Sequence, residues 1–400
     1  MKKVLVVGAI LAAIASSAQA QSSVTIYGVA DAAVQVGNGG GGFSQNSKTG
    51  VRTDVNDNRH FTGVQSGGWS GSRIGFKGEE DLGNKVKAVF TLEYGTDLDT
   101  GTGLTQSRQS YVGLSSGDYG TLTLGRQYAP SGVLISKNSA FDISGATPMN
   151  QFLNGKSVGL SALGGTMGTG EVSRWNNSIA YQSPVFNGFS SRVAYALGET
   201  GNTTGFTKGV YDPASANTAS AETTDNGKFG VSGSYANGPL NVDVIYQTVM
   251  NVTSTYPKVD TQGSDVQEWY VGGGYDFKFV KVVASYQTLN NKNSAASAID
   301  SKVWSVGAIV PVTTNGKVRV EYAQTKFSQS GEQPVAELRT NGSSSGWGVG
   351  YTHDLSKRTM LYTNYSYITN DKDSMDFGAN GIGARGESNY TITAGIKHTF

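Results

Sequence analysis

One pattern runs through nearly the whole chain: short segments in which apolar and polar residues alternate one by one. In residues 24–36 (VTIYGVADAAVQV), the even-numbered positions are apolar or small, and polar residues occupy several of the odd-numbered ones. Side chains alternate across a β-strand, so each such segment predicts a strand with one apolar and one largely polar face. We predict about sixteen strands, near residues 23–36, 70–80, 85–95, 106–115, 120–128, 174–184, 188–199, 227–236, 239–250, 265–276, 279–291, 300–311, 316–328, 344–354, 358–370 and 388–400.

The connections between these segments alternate in length. Short turns such as Asp81–Asn84 and Asp354–Lys357 are separated by long stretches rich in Gly, Ser, Asn and Thr. Short turns on one rim and long loops on the other are typical of a transmembrane β-barrel with an even number of antiparallel strands. The predicted fold class is therefore all-β, a transmembrane antiparallel barrel of about sixteen strands.

The longest irregular segment, residues 129–173, is too long for an ordinary connection and suggests a functional loop. It contains apolar residues that could anchor it against a wall: Val133, Leu134, Ile135, Phe141, Met149, Phe152 and Leu153. We predict that this third long loop folds into the barrel lumen and narrows it.

The N-terminus has the form of an export signal. Lys2 and Lys3 precede an apolar run from Val4 to Ile14, and Ala18-Gln19-Ala20 is a small-x-small cleavage site. A membrane anchor is the alternative, but the run is shorter than the roughly 20 residues that span a bilayer. We predict a signal peptide at residues 1–20 and a barrel domain at residues 21–400.

Composition agrees with an exported barrel and excludes several function classes. The chain has 55 Gly, 20 Tyr and no Cys, with a mean hydropathy of −0.28. Without Lys2 and Lys3 the 31 basic residues become 29, against 30 acidic ones, so the mature chain is close to neutral and nucleic acid is not expected as a partner. No phosphate-binding loop or metal-ligand set is present, and no cofactor is predicted.

Several long collinear motifs resemble the trimeric general porins of Gram-negative outer membranes, particularly the betaproteobacterial branch. They are SSVTIYGVADAAV, SRIGFKGEEDLGNKVKAVFTLE, YVGLSSGDYGTLTLGRQ, NNSIAYQSPVFNGF, YTHDLSKRTMLY and the terminal Phe400. The resemblance implies a sixteen-stranded outer-membrane barrel, a homotrimer, and a third external loop folded inward. It also implies contact with outer-membrane lipid and lipopolysaccharide, and a terminal Phe400 that the assembly machinery reads.

The same resemblance implies a pore constriction where basic side chains on the wall face acidic groups on or near the loop. Matching residue by residue, the basic residues are Arg73, Arg108 and Arg174, and the acidic ones are Glu93 and Asp142. Alternation places the arginines inward, with Tyr111 outward. The alternative is that these are solvated lumen charges without special roles, which is also our interpretation of Lys77, Lys87 and Arg319. Arg126 falls outward, which indicates either a β-bulge or a protein interface.

We expect a water-filled channel for passive diffusion of ions and small hydrophilic solutes, with a weak preference for anions. Two alternatives are a substrate-selective anion porin and an adhesin or surface-binding protein that uses the barrel as a scaffold. An enzyme is not expected, because His60, His353 and His398 are the only histidines and none adjoins a nucleophile motif.

Overall fold

The computed structural model describes most of the chain in eleven segments. They are residues 23–45, 52–55, 59–154, 166–168, 170–198, 206–207, 210–211, 227–252, 264–291, 299–329 and 341–400. The predicted signal peptide, residues 1–20, lies outside the described residues. Within those segments, none of the helices has the length and apolar character needed to cross a membrane.

Strands dominate the described segments. In chain order they are β1 (Ser23–Gly39), β2 (Gly42–Gln45), β3 (Arg52–Val55), β4 (Arg59–Ser66), β5 (Arg73–Asp81), β6 (Val86–Thr96), β7 (Leu104–Ser116), β8 (Gly120–Tyr128), β9 (Arg174–Gln182), β10 (Phe189–Ala196), β11 (Phe206–Thr207), β12 (Val210–Tyr211), β13 (Lys228–Asn237), β14 (Leu240–Val252), β15 (Ser264–Asp276), β16 (Lys281–Asn291), β17 (Ile299–Pro311), β18 (Gly316–Gln329), β19 (Ser343–Asp354), β20 (Thr359–Asn370) and β21 (Ser388–Thr399).

The helical elements are short. Two α-helices, α1 (Pro130–Leu134) and α2 (Pro148–Asn154), lie in the long segment between β8 and β9. Single 3₁₀ turns occupy Ile135–Asn138, Gly170–Ser173 and Ala379–Gly381.

The main sheet closes on itself, because β1 pairs with β21 over Val29–Gly39. Seventeen strands belong to this sheet, but β4 and β5 pair in succession with the two halves of β1 and so share one position. The result is a closed antiparallel barrel of sixteen strand positions, which confirms the predicted fold class. The hairpins β2–β3 and β11–β12 lie outside this sheet.

One prediction was wrong at the second strand position. The strands predicted at residues 23–36 and 70–80 leave residues 37–69 as a connecting loop, whereas β1 extends to Gly39 and β4 pairs with its second half. The alternation that identifies a strand is also present in β4 (RHFTGVQS), where exposed and partly buried residues take turns. A one-turn insertion, residues 67–72, then separates β4 from β5.

The segment between β8 and β9, which we call the infolded segment, supplies the core of the barrel. It places Leu134, Ile135, Met149, Phe152 and Leu153 against the inward apolar side chains of β14–β20. Phe141 is likewise buried. This confirms that the third long loop folds into the lumen, although Val133 is 40% exposed and does not anchor it.

Candidate functional site

A cavity of about 1100 Å³ remains where the infolded segment narrows the lumen. Arg73, Arg108 and Arg174 line one side of it. Asp142 of the infolded segment also lines it, as do residues 376–381 between β20 and β21. Four of the five residues predicted for the constriction therefore line this cavity, and the fifth, Glu93, lies directly behind two of the arginines.

Glu93 connects Arg73 and Arg108. Its carboxylate accepts a hydrogen bond from Arg108 Nε at 2.7 Å and lies 3.7 Å from Arg73 Nε. Tyr27 on β1 donates its hydroxyl to Glu93 at 2.9 Å. Glu93 is nearly fully buried, whereas the two arginine side chains are partly exposed. The carboxylate therefore orients the guanidinium groups while they keep contact with lumen water.

Tyr128, the last residue of β8, joins Arg108 to Arg174. Arg108 Nη2 donates to the Tyr128 hydroxyl at 2.9 Å. The Arg174 guanidinium lies over the Tyr128 ring, 5.3 Å from its centroid, a cation–π geometry. The three arginines therefore form one array, and Tyr128 is a site residue that the sequence interpretation missed.

Two β-bulges determine where these arginines point. Glu93 pairs with Gln109 and Tyr94 with Ser107, so Arg108 is an extra residue in β7 and is turned inward. Because of this bulge, the prediction that Tyr111 faces outward was wrong: its hydroxyl accepts a hydrogen bond from Thr91, an inward residue. A second bulge lies in β9, where Asn176 and Asn177 oppose the single β8 residue Arg126, whose Nε donates to the Ser107 carbonyl at 2.7 Å.

Asp142 does not pair with this array. Its closest cation is Arg319 on β18, where Nη1 lies 3.5 Å from the carboxylate and also donates to the Ala140 carbonyl at 2.6 Å. Arg319 is buried and stacks on Trp69. The interpretation of Arg319 as a solvated lumen charge was therefore wrong, because it holds the infolded segment in place.

Buried carboxylates on the opposite wall also hold the infolded segment. Glu321 on β18 accepts hydrogen bonds from Ser139 Oγ at 2.7 Å and Ala140 N at 2.8 Å. Glu268 on β15 accepts from the backbone and hydroxyl of Thr166 at 2.6 and 2.8 Å. These contacts satisfy backbone donors of an irregular segment that has no ladder partner.

Inward-facing glycines lie where the infolded segment contacts the barrel wall. A Cβ built on Gly307 of β17 would lie 2.7 Å from Ala140 Cβ, so only a glycine lets the two backbones approach this closely. The same close approach recurs at Gly230 beneath Pro130, Gly272 beneath Asn138 and Gly350 beneath Phe141. These four glycines form the contact surface of the wall for the infolded segment, which we call the loop seat. Gly307, to which the sequence interpretation gave no role, is part of it.

The insertion at residues 67–72 contacts the segment from the other side. Asp31 on β1 is buried and accepts hydrogen bonds from Trp69 N at 3.1 Å and Ser70 N at 2.7 Å. This turns Trp69 inward, where its ring packs 6.2 Å from that of Phe141. The part of the infolded segment around Phe141 is therefore held between the barrel wall and the insertion.

A second segment, residues 371–387 between β20 and β21, also folds inward. Phe377 packs edge-on against Phe152 of α2 with ring centroids 5.0 Å apart, and Arg59 donates to the carbonyls of Gly381 and Gly383. Burial raises the pKa of Asp376, partly opposed by the nearby Arg385. The sequence interpretation missed this segment.

The described segments contain no group of three or more His, Asp or Glu side chains placed to bind a metal ion. His353 Nδ1 lies 3.0 Å from the Tyr351 hydroxyl, and His398 Nδ1 lies 2.9 Å from Thr359 Oγ1. These pairs lie near the short-turn rim, away from the cavity.

The chain is similar to known proteins over its whole length. The family model described as "Gram-negative porin" matches residues 8–373. Outer membrane porin protein 32 of Delftia acidovorans is 30% identical over 409 residues, with both chains covered completely. An outer membrane porin protein of Bordetella pertussis is 28% identical, again over the full length of both. Among solved structures, the anion-selective porin from Comamonas acidovorans has a TM-score of 0.71 at 27% identity, covering 95% of this chain and 100% of that one.

The closed barrel, the infolded segment and the similarity over the whole length of the chain all indicate the same family. The chain belongs to the Gram-negative porin family, and it forms an outer-membrane channel for the passive diffusion of ions and small hydrophilic solutes.

Proposed function

We propose that this channel prefers anions and that Arg73, Arg108, Arg174, Glu93 and Asp142 form its constriction. The observation that carries the proposal is the unequal neutralisation of charge around the cavity. Three guanidinium groups on the β5–β9 wall face it, while Glu93, the carboxylate bound to two of them, is buried behind them. A pore selects by its width and by the charges at its narrowest point.

The acidic groups on the other side add little to this balance. Asp142 lies 3.5 Å from Arg319, and Asp376 lies 3.6 Å from Arg385, so each carboxylate has a cation of its own. Three arginines against one carboxylate, Glu93, leave a positive excess at the cavity. Guanidinium groups stay charged at all relevant pH values, so the field is permanent. The similar anion-selective porin from Comamonas acidovorans supports the same sign.

A planar bilayer containing the purified protein tests this proposal. A salt gradient of KCl across the membrane gives a zero-current potential whose sign reports whether chloride or potassium crosses more easily. We expect an open pore with a chloride-preferring potential that weakens at high salt, because the Debye length falls from about 10 Å at 0.1 M to about 3 Å at 1 M. A potassium-preferring potential at 0.1 M would contradict the proposed preference.

The proposal assigns no catalytic step to the chain and favours a general channel over a substrate-selective one. The two described histidine pairs involve a tyrosine and a threonine at the rim, which is not the arrangement of an activated nucleophile at a pocket. A saturable current with rising concentration of one anion would instead favour the substrate-selective alternative.

We further propose a homotrimer, as the family resemblance implies. The outer surface supports it, because its exposed apolar side chains differ between two sides of the barrel. On β15–β19 they include the aromatic residues Trp269, Tyr275, Tyr286, Trp304, Tyr322 and Trp347. On β1 and β6–β8 they are aliphatic: Val24, Ile26, Val34, Val36, Leu92, Leu104, Val112, Leu114, Leu122 and Leu124.

Trp and Tyr gather where a barrel meets the lipid–water interface, so the aromatic side is the one expected to face lipid and lipopolysaccharide. The aliphatic side is expected to face neighbouring copies. Replacing Val112 with Asp should therefore yield monomers by light scattering in detergent, while Val306→Asp on the aromatic side should leave the oligomer intact. Equal dissociation by both variants would contradict this placement.

Phe400 is proposed as the signal for the assembly machinery. Its backbone closes the barrel by exchanging hydrogen bonds with Gly28, and its ring lies over Gly28 on the outer surface. Phe400→Ala should reduce the amount of folded barrel in cells but not the refolding yield of purified protein. An equal loss in both settings would indicate a purely structural role.

A further inference from the structure

Arg192 is an inward-facing arginine that lies beyond the array described above. It belongs to β10, where Ala194 and Ala196 on the same strand face are buried and Val193 on the other face is exposed. Its Nη2 donates to Gln127 Oε1 at 3.1 Å and to the Tyr128 carbonyl at 3.0 Å. Its Nε is buried without a hydrogen-bond partner.

Tyr128 thus contacts three arginines through three of its parts. Arg108 bonds the hydroxyl, Arg174 lies over the ring, and Arg192 bonds the main-chain carbonyl. Position along the strands separates them: Arg108 and Arg174 are near the long-loop ends of β7 and β9, whereas Arg192 is four residues from Gly188, the end of a short turn. The backbone of Arg192 therefore lies nearer the short-turn rim, and its guanidinium reaches the array at Tyr128 from that side.

The charge of Arg192 is also less neutralised than the charges of Arg73, Arg108 and Arg319. Arg73 and Arg108 share Glu93, and Arg319 is close to Asp142. In the part of the chain that the structure describes, no carboxylate lies within 4.0 Å of the Arg192 guanidinium. Its two acceptors are an amide and a carbonyl, which are neutral, so they fix its position without cancelling its charge.

We propose that Arg192 is a specificity-determining residue of the channel, a second attractive station for small inorganic anions on the short-turn side of Tyr128. An anion that leaves the arginine array at the cavity meets this positive charge next. The inference rests on the proposed anion preference and adds a residue and a level in the lumen that the five constriction residues do not include.

The test compares Arg192→Gln and Arg192→Lys with the wild-type protein, using the zero-current potential in a KCl gradient centred on 0.1 M. Glutamine can still donate to the Tyr128 carbonyl but carries no charge, and lysine keeps the charge. We expect Arg192→Gln to lower the chloride-to-potassium permeability ratio about twofold, as the loss of one unit charge in a water-filled pore would. Arg192→Lys should retain most of the wild-type ratio.

The matched control is Lys85→Gln, which removes the same charge from an exposed short turn where Lys85 pairs with Asp118. It should leave the ratio unchanged, because bulk water and salt screen that position. The Arg192→Gln effect should also shrink in 1 M KCl, a dependence that a purely structural role would not show.

Two outcomes would overturn the inference: an unchanged ratio in open Arg192→Gln pores, or an equal shift in both Arg192 variants, which would show that the geometry at Tyr128 matters and the charge does not. The sign of the wild-type potential separately decides the proposed anion preference. A cation-preferring wild type would defeat that proposal, while the difference between Arg192→Gln and wild type would still measure the influence of Arg192.

Discussion

The wall formed by β5–β9 and the wall formed by β13–β20 both turn charged side chains inward, but these charges meet different neighbours. On the first wall, Arg73 and Arg108 are partly exposed to the cavity. On the second, Glu268 and Glu321 are buried beneath the infolded segment and bind its backbone donors. Inward position alone therefore does not make a residue part of the ion path.

The difference lies in what covers each wall. Glycines such as Gly307 and Gly272 let the segment approach the second wall closely, and the carboxylates there supply acceptors at hydrogen-bond distance. The first wall carries long cationic side chains, of which Arg73 and Arg108 stay partly exposed to the cavity while Arg174 is buried. We propose that the first wall acts on solutes, whereas the second positions the loop that narrows their path.

The largest effect is expected from Glu321→Leu on the loop-bearing wall. It leaves Ser139 Oγ and Ala140 N without their acceptor, at a cost of about 2–6 kcal/mol because each unsatisfied buried donor costs about 1–3 kcal/mol. The segment should detach near Ala140, and single-channel recordings should show a larger and noisier conductance. Glu321→Gln keeps one acceptor oxygen and is the matched control; equal conductance in both variants would contradict the anchoring role.

Gly307→Val should weaken the same contact by steric means. The new side chain would collide with Ala140, and overpacking of this kind costs about 1–3 kcal/mol. We expect the barrel of this variant to unfold at a lower temperature, measured by heating samples stepwise and following the loss of the folded band on a gel. We also expect a changed conductance. Gly233→Val on β13 is the control, since a Cβ there meets nothing within 4 Å. If the two variants behave alike, the loop seat is not at Gly307.

On the arginine wall, the triple variant Arg73→Gln, Arg108→Gln and Arg174→Gln should lower the chloride-to-potassium permeability ratio about eightfold, since each charge contributes about twofold in a water-filled pore. Glu93 would then have lost both of its arginine partners and would carry the charge at the cavity wall, so the zero-current potential should change sign.

The control for this triple variant removes three exposed short-turn lysines, Lys85, Lys278 and Lys357. It changes the net charge equally but away from the cavity, so the sign should stay. A reversal in the control would show that total charge, and not the array, sets the selectivity.

Glu93→Gln should act in the opposite direction and more weakly. Removing the carboxylate that Arg73 and Arg108 share raises the positive excess by one charge, and the chloride-to-potassium ratio should rise about twofold. Glu79→Gln, at an exposed pair with Lys87 near the short-turn rim, should have no effect. A fall in the ratio for Glu93→Gln would mean that the carboxylate matters chiefly because it positions the guanidinium groups.

The smallest effect concerns pH and the inward segment between β20 and β21. Because burial raises the pKa of Asp376, the folded segment binds a proton more tightly than the unfolded one. Its docking should therefore be stabilised as pH falls through the raised pKa and weakened as pH rises through it. Protease protection of this segment should follow that trend, and Asp376→Asn should remove it; an unchanged trend in the variant would exclude Asp376 as its source.

The strand pattern could be predicted from the sequence because alternation is a local property. The predicted boundaries of β8, residues 120–128, coincide with the observed strand, and those of β20 differ by one residue at its start. The strand β4 was missed because its sequence is short and follows a Gly-rich stretch that suggests a loop. A ladder partner in β1, which sequence does not reveal, stabilises it.

The site could be predicted only in part. The family resemblance named Arg73, Arg108, Arg174, Glu93 and Asp142, and the structure brings Glu93 to two of the arginines. The resemblance could not reveal that Arg319 pairs with Asp142. This pairing depends on where the infolded segment crosses a strand 177 residues away in the sequence. The alternation of side chains contained one signal that the sequence interpretation did not use. Arg319 and Glu321 lie two residues apart on the same inward face of β18, beneath the segment they hold.

The infolded segment also constrains the order in which the molecule can form. Its seats at Glu268, Gly307 and Glu321 belong to strands that follow it in the chain, and the seam between β1 and β21 joins residues from opposite ends. Contacts of such large sequence separation form slowly. The narrow passage is therefore expected to be the last feature to mature, after a wider barrel has closed, and a chain truncated before β18 would have neither a closed wall nor a place to dock its loop.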